Sequence, residues 1–391
     1  MRYKFDNGMF DGEIDGENRM LNGTFTYNSG ATFVGEFREN RKYKGVYTWA
    51  DGSVYDGYFK NDEPNGTGTF TWANGNTYVG EFVNGKEHGK GTFTWADDGS
   101  TYEGDWKENE RTGKGTMRYA NGNVYVGGWL GSKKHGKGVL TTADGSSFEG
   151  KWVNGKMKGK GVRTAPSGAK MVGKWDDENI VGVGKVYLST GGVYKGKFLE
   201  RKYHGKGTLK FNNGSVYKGE FVDGKMEGYG VLKFNNGNVY KGEFKNNYAN
   251  GFGTMKLKDG GVYVGNFLND KMHGKGRLKT ADGFSYEGDF VHGKMEGKGF
   301  AKYKNGTTYR GDWVADLPHG EGTYRYRNGE TYIGELVNDV YHGKGMAYYE
   351  SGDHYEGNWV NGKREGYGKY TKIGGQVVYE GEWENNNPKT R

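Results

Sequence analysis

The sequence predicts an all-β fold: an elongated, single-layer antiparallel array of β-hairpin repeats, twisted and bent along its length. Three observations carry that expectation. Glycine supplies 75 of the 391 residues, far above the ~7% of ordinary chains, so something other than a compact core is being built. Aromatic residues stay plentiful, at 31 Tyr, 20 Phe and 10 Trp, although the apolar fraction is only 33%; a disordered chain lacks that payload. One motif also recurs with a period of about 23 residues along the whole chain.

That motif is an aromatic-x-Gly-x-aromatic or aliphatic pentad. It starts at Phe10, Phe33, Tyr55, Tyr78, Tyr102, Tyr125, Phe148, Met171, Tyr194, Tyr217, Tyr240, Tyr263, Tyr286, Tyr309, Tyr332, Tyr355 and Tyr379. The intervals leave no room for a separate domain, so residues 1–391 read as one continuous array of about seventeen units. An irregularity or kink is expected at 163–184, where Met171 replaces Tyr after Pro166, and the last unit, 379–391, reads as an unfinished hairpin.

Each unit has two halves. In Tyr217-Lys218-Gly219-Glu220-Phe221 the period-2 alternation puts Tyr, Gly and Phe on one face and Lys and Glu on the other, a half-buried strand. A Gly-x-Gly follows eleven residues after each pentad start from Tyr55 to Tyr355 and belongs to the second strand. Turn pairs such as Asn84-Gly85 and Asp223-Gly224 join the two halves, and pairs such as Asn74-Gly75 and Asn236-Gly237 lead into the next unit. Both sets are expected to form type I′ turns. Pro64, Pro166 and Pro318 are expected in turns and Pro388 in the tail. Asn22, Asn65, Asn213 and Asn305, which match Asn-x-Ser/Thr, are read as turn residues. One hairpin cannot bury its apolar face alone, so the hairpins must stack edge to edge.

The stretch Tyr78-Val79-Gly80-Glu81-Phe82 through Asn84-Gly85-Lys86-Glu87-His88-Gly89-Lys90-Gly91 resembles the MORN (membrane occupation and recognition nexus) repeat, as does Tyr355 through Gly368. The resemblance covers essentially the whole chain. It departs in the first two units, which lack one glycine (Leu21, Tyr43), and in the unit from Met171. It implies a scaffold like the all-repeat proteins of protist cytoskeletons and radial-spoke heads, and self-association through the last repeats.

Several chemistries are disfavoured. Without cysteine there are no disulfides, thiolate metal sites or cysteine nucleophile, and with no apolar h-region or membrane-length apolar run a cytoplasmic location is expected. Near-matches to a P-loop at 80–86, 150–156, 219–225 and 288–294 lack the Ser/Thr that holds Mg²⁺ and open no helix. His88, His135, His204, His273, His319 and His342 share one repeat position that elsewhere holds Asn65, Lys158 or Glu227, so it reads as solvated. Equivalent residues one hairpin apart are separated by ~10 Å, too far to share a metal. Glu81, Asp105, Glu220, Asp289 and Glu335 fall on the solvated strand face, where tuning a catalytic carboxylate is hard. The expectation is no enzyme, no metal and no cofactor.

Charge and aromatic ladders point to partners instead. Of the net +8, the basic excess lies within residues 181–300. There Lys195, Lys218 and Lys241 share one repeat position, and Lys210, Lys233, Lys256, Lys279 and Lys302 another, parallel ladders that read either as an ordinary solvated face or as a surface for anionic lipid headgroups or an acidic protein. Nucleic acid is disfavoured, since parity puts the aromatics on the opposite face. A second-strand aromatic ladder, Trp49, Trp72, Trp95 and Tyr119 and later Tyr303, Tyr326 and Tyr349, reads first as packing between hairpins and second as candidate grooves for a helix or extended peptide. Tyr379 and Trp383, in the unfinished unit, mark either a simple frayed cap or an edge for a homodimer or a captured strand. The leading functional expectation is a cytoskeletal or ciliary scaffold; the alternative is a peripheral phosphoinositide-binding protein acting through 181–300.

Overall fold

A computed structural model describes residues 1–389. Among these residues there are thirty-six strands, paired antiparallel, and no helix. They fall into two compact bodies built on one plan: residues 1–191 with 198–201, and residues 192–197 with 202 onward.

The plan is clear in the second body. Strands Val216–Val222 and Lys225–Lys233 form a hairpin whose burial follows the alternation. Tyr217 and Phe221 are buried while Lys218 and Glu220 are exposed. Both turn residues have positive φ, 49° at Asp223 and 85° at Gly224, which makes the turn type I′. Asn246-Asn247, at 51° and 75°, reaches the same conformation without glycine, because Asn tolerates the left-handed region.

The connection to the next unit is not the expected type I′ turn. Only Gly237 of Asn236-Gly237 has positive φ. The Gly237 N–H donates to the Phe234 carbonyl at 3.1 Å and the Phe234 N–H to the Asn238 carbonyl at 2.9 Å. This is a type I turn closed by a glycine bulge, the form a three-residue loop adopts.

The two glycines of Gly-x-Gly have different tasks. The first takes positive φ, 61° at Gly228 and 53° at Gly113, and the register slips there, Gly104 facing Gly115 but Asp105 facing Thr112. That bulge frees the N–H of the middle residue, and the fourth pentad residue accepts it. Asp105 takes the Lys114 N–H at 2.7 Å, Glu81 that of Lys90 at 2.9 Å and Glu335 that of Lys344 at 3.1 Å.

The second glycine lies in a column with the pentad glycines: Gly207, Gly219, Gly230, Gly242 and Gly253 face one another strand after strand. The pentad tyrosine folds back over this column. A Cβ on Gly230 would stand 2.5–2.7 Å from ring atoms of Tyr217, and the Tyr217 hydroxyl donates to the Glu220 carbonyl at 3.0 Å. Where both neighbouring pentads end in a ring, the tyrosine meets two others edge-on, Tyr217 lying 5.2 Å from Phe221 and 4.8 Å from Phe244 of the next unit, the geometry that opposes ring edge to ring face.

Side chains also stitch each unit to its neighbour. At one end of the strands, the second turn residue accepts a backbone N–H from the preceding unit: Asn109 from Glu87 at 2.8 Å, Asn247 from Met226 at 2.8 Å, Asp270 from Ala249 at 2.7 Å. At the other, Ser53 accepts from Ala73 at 3.1 Å and Asn76 from Ala96 at 2.9 Å.

Several local expectations are corrected. Pro64 and Pro318 lie inside strands Glu63–Thr71 and Leu317–Arg325, at the position whose N–H would point to the next unit's turn side chain, so no hairpin bond is lost. Pro388 lies in the two-residue strand Asn387–Pro388, which pairs with Val377–Glu384. Asn22 and Asn65 are in strands, whereas Asn213 and Asn305 are in turns. In the unit from Met171 the second strand is split into Asn179–Ile180 and Val183–Tyr187, with Gly182 at φ 79° between them. Ile180, not a pentad ring, stands over Gly173 there.

Candidate functional site

On the aromatic face, Trp49, Trp72, Trp95, Tyr119, Tyr303, Tyr326 and Tyr349 are all half-buried. Each starts the connection one residue past its strand. In the first body they interleave with second-strand rings: Trp49 to Phe70 is 5.0 Å, Phe70 to Trp72 4.5 Å and Trp72 to Phe93 5.2 Å. Two hollows open along the row. Trp95 and Tyr119 share one of 440 Å³ with Arg111 and Lys134; Tyr326 and Tyr349 share one of 380 Å³ with Tyr341 and Arg364. Trp49, Trp72 and Tyr303 line neither. Tyr303 instead joins a hydroxyl chain, 3.4 Å from Tyr324, whose own hydroxyl meets the Asp339 carboxylate. Burial pushes the Tyr324 phenol far above its ordinary value.

Sequence reasoning missed a set of cation boxes on this face. The second residue of the second strand points among the rings, and in four units it is basic. The Arg111 guanidinium lies 4.9 Å from the Trp129 ring centre and 5.5 Å from those of Trp95 and Tyr102. Lys134 lies 4.7 Å from Trp152 and 5.5 Å from Tyr125, Lys42 4.3 Å from Tyr47, and Arg364 4.3 Å from Trp383. Burial lowers the pKa of Lys42, Arg111 and Lys134, while the ring faces attract the charge. The signal was in the sequence: strand parity aims the x of Gly-Lys-x-His-Gly at the aromatic face.

The opposite face carries the lysines. Lys195, Lys210, Lys218, Lys233, Lys241, Lys256, Lys279 and Lys302 are all exposed, and among the described residues none of them is in an ion pair. Lys210, Lys233, Lys256, Lys279 and Lys302 stand on alternate strands, with Val216, Val239, Val262 and Ser285 between them. Lys218 and Lys241 flank Val231. Nearby cations are paired, Lys275 with Asp289 at 2.7 Å and Arg277 with Glu287 at 2.9 Å.

Two wider concavities lie on this charged face. One of 1380 Å³ in the second body is bordered by Arg277, Phe300, Arg310 and Ile333, and one of 1000 Å³ in the first by Val79, Lys90, Val126 and Lys137. Residues flanking each column glycine point to this face and wall a floor of glycine backbone.

The residues weighed for chemistry have structural tasks. The six histidines are half-buried rather than solvated. At this position some residues accept the N–H of the next unit's first turn residue, Glu227 from Asn246 at 2.8 Å and, alone of the six histidines among the described residues, His319 Nδ1 from Asn338 at 3.4 Å. In His135, His204 and His273 the Nδ1 atom is buried without a partner among the described residues. The Lys114 N–H and the Lys90 ammonium hold the Asp105 carboxyl below its ordinary range. Among the described residues no cluster of three or more His, Cys, Asp or Glu could hold a metal ion, and no helix is long and apolar enough to cross a membrane.

Of the two residues assigned to the edge, Trp383 is buried in its own chain: its indole donates to the Gly368 carbonyl at 3.0 Å, and Tyr355 and Tyr379 meet it edge-on. Tyr379 is half-buried, with its hydroxyl on the Glu382 carbonyl at 2.9 Å. Apolar surface near this end belongs to Ile373, Val377 and Val378.

Among solved structures, the chain is similar to the TCP10 domain of Danio rerio CPAP, at 14% identity over 57% of this chain and 99% of that one, with a TM-score of 0.30. It is similar to the Drosophila melanogaster SAS-4 TCP domain in complex with a proline-rich motif of Ana2, at 12% identity over 40% and 85%, TM-score 0.26. A search of curated protein sequences finds no match. The MORN repeat model matches fifteen segments, six between residues 33 and 170 and nine between 194 and 389. It passes over 10–32 and 171–193, whose pentads start at Phe10 and Met171. With well over half of its residues matched, the chain belongs to the MORN repeat family.

Proposed function

We propose that this repeat scaffold serves protein interaction in the cytoskeleton or cilium, without catalysis of its own, taking partner helices or extended peptides on its aromatic face. The observation that supports the reading is the pair of hollows in which ladder residues converge, Trp95 with Tyr119 and Tyr326 with Tyr349. Half-buried aromatic rings beside a cation are the usual anchors for a docked segment. The test is purification from native cells with identification of co-purifying proteins, repeated with Tyr326→Ala/Tyr349→Ala. Cytoskeletal or axonemal proteins should accompany the wild type and be depleted by the substitution. A diffuse chain recovered without them would sink the reading.

A second reading, peripheral binding to phosphoinositide-rich membrane, is favoured by the eight exposed, unpaired lysines on one face. Under it, Lys210→Glu/Lys233→Glu/Lys256→Glu loses liposome pelleting at physiological salt; unchanged pelleting removes it. Apolar exposure at Ile373, Val377 and Val378 supports a homodimer about residues 355–391, which requires twice the chain mass in light scattering at micromolar concentration.

A further inference from the structure

Four units lay their own cation among three aromatic rings, and a fifth holds a carboxylate in the same place. In the unit that starts at Tyr78, the second residue of strand Lys86–Thr94 is Glu87. The register is that of the Arg111 box. Glu87 faces Phe82 as Arg111 faces Trp106, and Trp106 stands opposite Gly89 as Trp129 stands opposite Gly113. The counterparts of Trp95, Tyr102 and Trp129 are therefore Trp72, Tyr78 and Trp106. Tyr78 and Trp106 meet at 5.3 Å and 84°, Tyr102 and Trp129 at 5.1 Å and 82°.

Glu87 is 7% exposed. Its backbone is fixed by its N–H on Asn109 Oδ1 at 2.8 Å and by the Asn109 N–H on its carbonyl at 3.1 Å. Its carboxylate has no hydrogen bond and no ion pair among the described residues, and burial pushes its pKa up to about 7. Its oxygens are not among the enclosed, unpartnered polar atoms, so the head group keeps contact with solvent; even a partly desolvated carboxylate is costly without a partner, and ring faces repel an anion as they attract a cation. Glutamate is also shorter than lysine or arginine, so its head group ends inside the position that the Arg111 guanidinium reaches in its own box.

We infer that the box of Trp72, Tyr78, Trp106 and Glu87 is a binding site for a basic side chain, a lysine ammonium or arginine guanidinium, presented by a partner protein. The partner supplies the cation that the other boxes hold from within, and Glu87 supplies the charge-assisted hydrogen bond. One carboxylate among ring faces offers too few oxygens for a hard metal ion. The inference rests on the protein-interaction reading for the source of the side chain.

The test uses the full chain labelled with 5-fluorotryptophan and followed by ¹⁹F NMR. It is titrated at constant ionic strength with N-acetyl-lysine methylamide and N-acetyl-arginine methylamide, with magnesium chloride and the uncharged norleucine analogue as comparisons. The Trp72 and Trp106 resonances should shift saturably with the basic probes alone. Glu87→Gln should weaken the response at least tenfold, and Glu87→Arg, which fills the box from within, should abolish it. The other tryptophan resonances report that both variants are folded. Absence of a shift with either basic probe, an undiminished response in Glu87→Gln, or a response to magnesium or norleucine would overturn the assignment. The probes need no native partner, so a negative result here leaves the scaffold reading standing, and a failed partner search leaves this site standing.

Discussion

Replacing Gly230 by alanine tests whether the glycine column exists to seat the pentad rings. Gly230 has no positive φ, so alanine suits its backbone and only space is at issue. The new Cβ would lie 2.5–2.7 Å from the Tyr217 ring, against an ordinary contact of 3.4 Å or more. The ring must then retreat by about 0.9 Å. It cannot do so freely, being fully buried between Phe221 and Phe244. Overpacking of this kind costs ~1–3 kcal/mol, and losing the hydroxyl bond to the Glu220 carbonyl adds ~1 kcal/mol. Repeat arrays unfold in parts, so the assay is amide hydrogen exchange over 216–233, which should quicken on the order of a hundredfold. In a Tyr217→Ala background the same substitution should cost less than ~0.5 kcal/mol, a coupling that a double-mutant cycle isolates. Wild-type exchange in Gly230→Ala, or an equal cost in both backgrounds, would refute the reasoning.

Three further outcomes follow from the same geometry. Asp105→Ala should destabilise its hairpin by ~1 kcal/mol at neutral pH. Because the folded pKa of Asp105 is depressed below 3.8, that difference should persist above this pH and vanish as the pH falls below it, as acid titration of local exchange will show. Glu87 has the opposite sign. Its pKa is raised from 4.5 to about 7, so the folded state keeps a proton the unfolded chain releases, and local stability should fall as pH rises across that window by roughly 3 kcal/mol. Glu87→Gln should flatten the slope. Asn247→Ala, which strips the acceptor from the Met226 N–H, should cost ~1–2 kcal/mol, read as faster exchange of that amide with little change in the first body.

The period and the face of every pentad residue were legible because strand parity is strict and each unit repeats the test. Register was legible for the same reason: aligning one glycine pair aligns all of them. Contacts between units were not. That the second turn residue reaches back to a neighbour's N–H depends on a spacing of about twenty residues, and Asn109, Ser132 and Asp270 do it with different chemistry. Type I and type I′ loops were confused because Asn-Gly serves both, and loop length rather than composition separates Asn236-Gly237 from Asn84-Gly85. The histidine position was misjudged for a related reason. Its tolerance of Glu, Asn and Lys suggested solvent, whereas what Glu227 and His319 share is an acceptor aimed at the next turn.

Where a unit departs from the pattern, the departure propagates through these stitches. Two units carry proline at the position that otherwise donates an N–H to the following turn, and they adapt differently. After Pro64 the turn residue is Gly85, which has no side chain to leave unpaired. After Pro318 it is Asp339, whose freed carboxylate turns to the Tyr324 hydroxyl and so joins the chain that includes Tyr303. A backbone substitution in one unit thus sets the polarity of the aromatic face beside it. Glu87 is a departure of the same kind, a charge reversed in a box that keeps its Trp, Tyr and Trp rings and has Phe93 where the Arg111 box has Met117. The glycine column and pentad rings repeat because each unit must seat the next, and they cannot distinguish one partner from another. Selectivity has to come from positions that the stacking leaves free, and the second residue of the second strand, basic in some units, acidic or apolar in others, is such a site facing the rings.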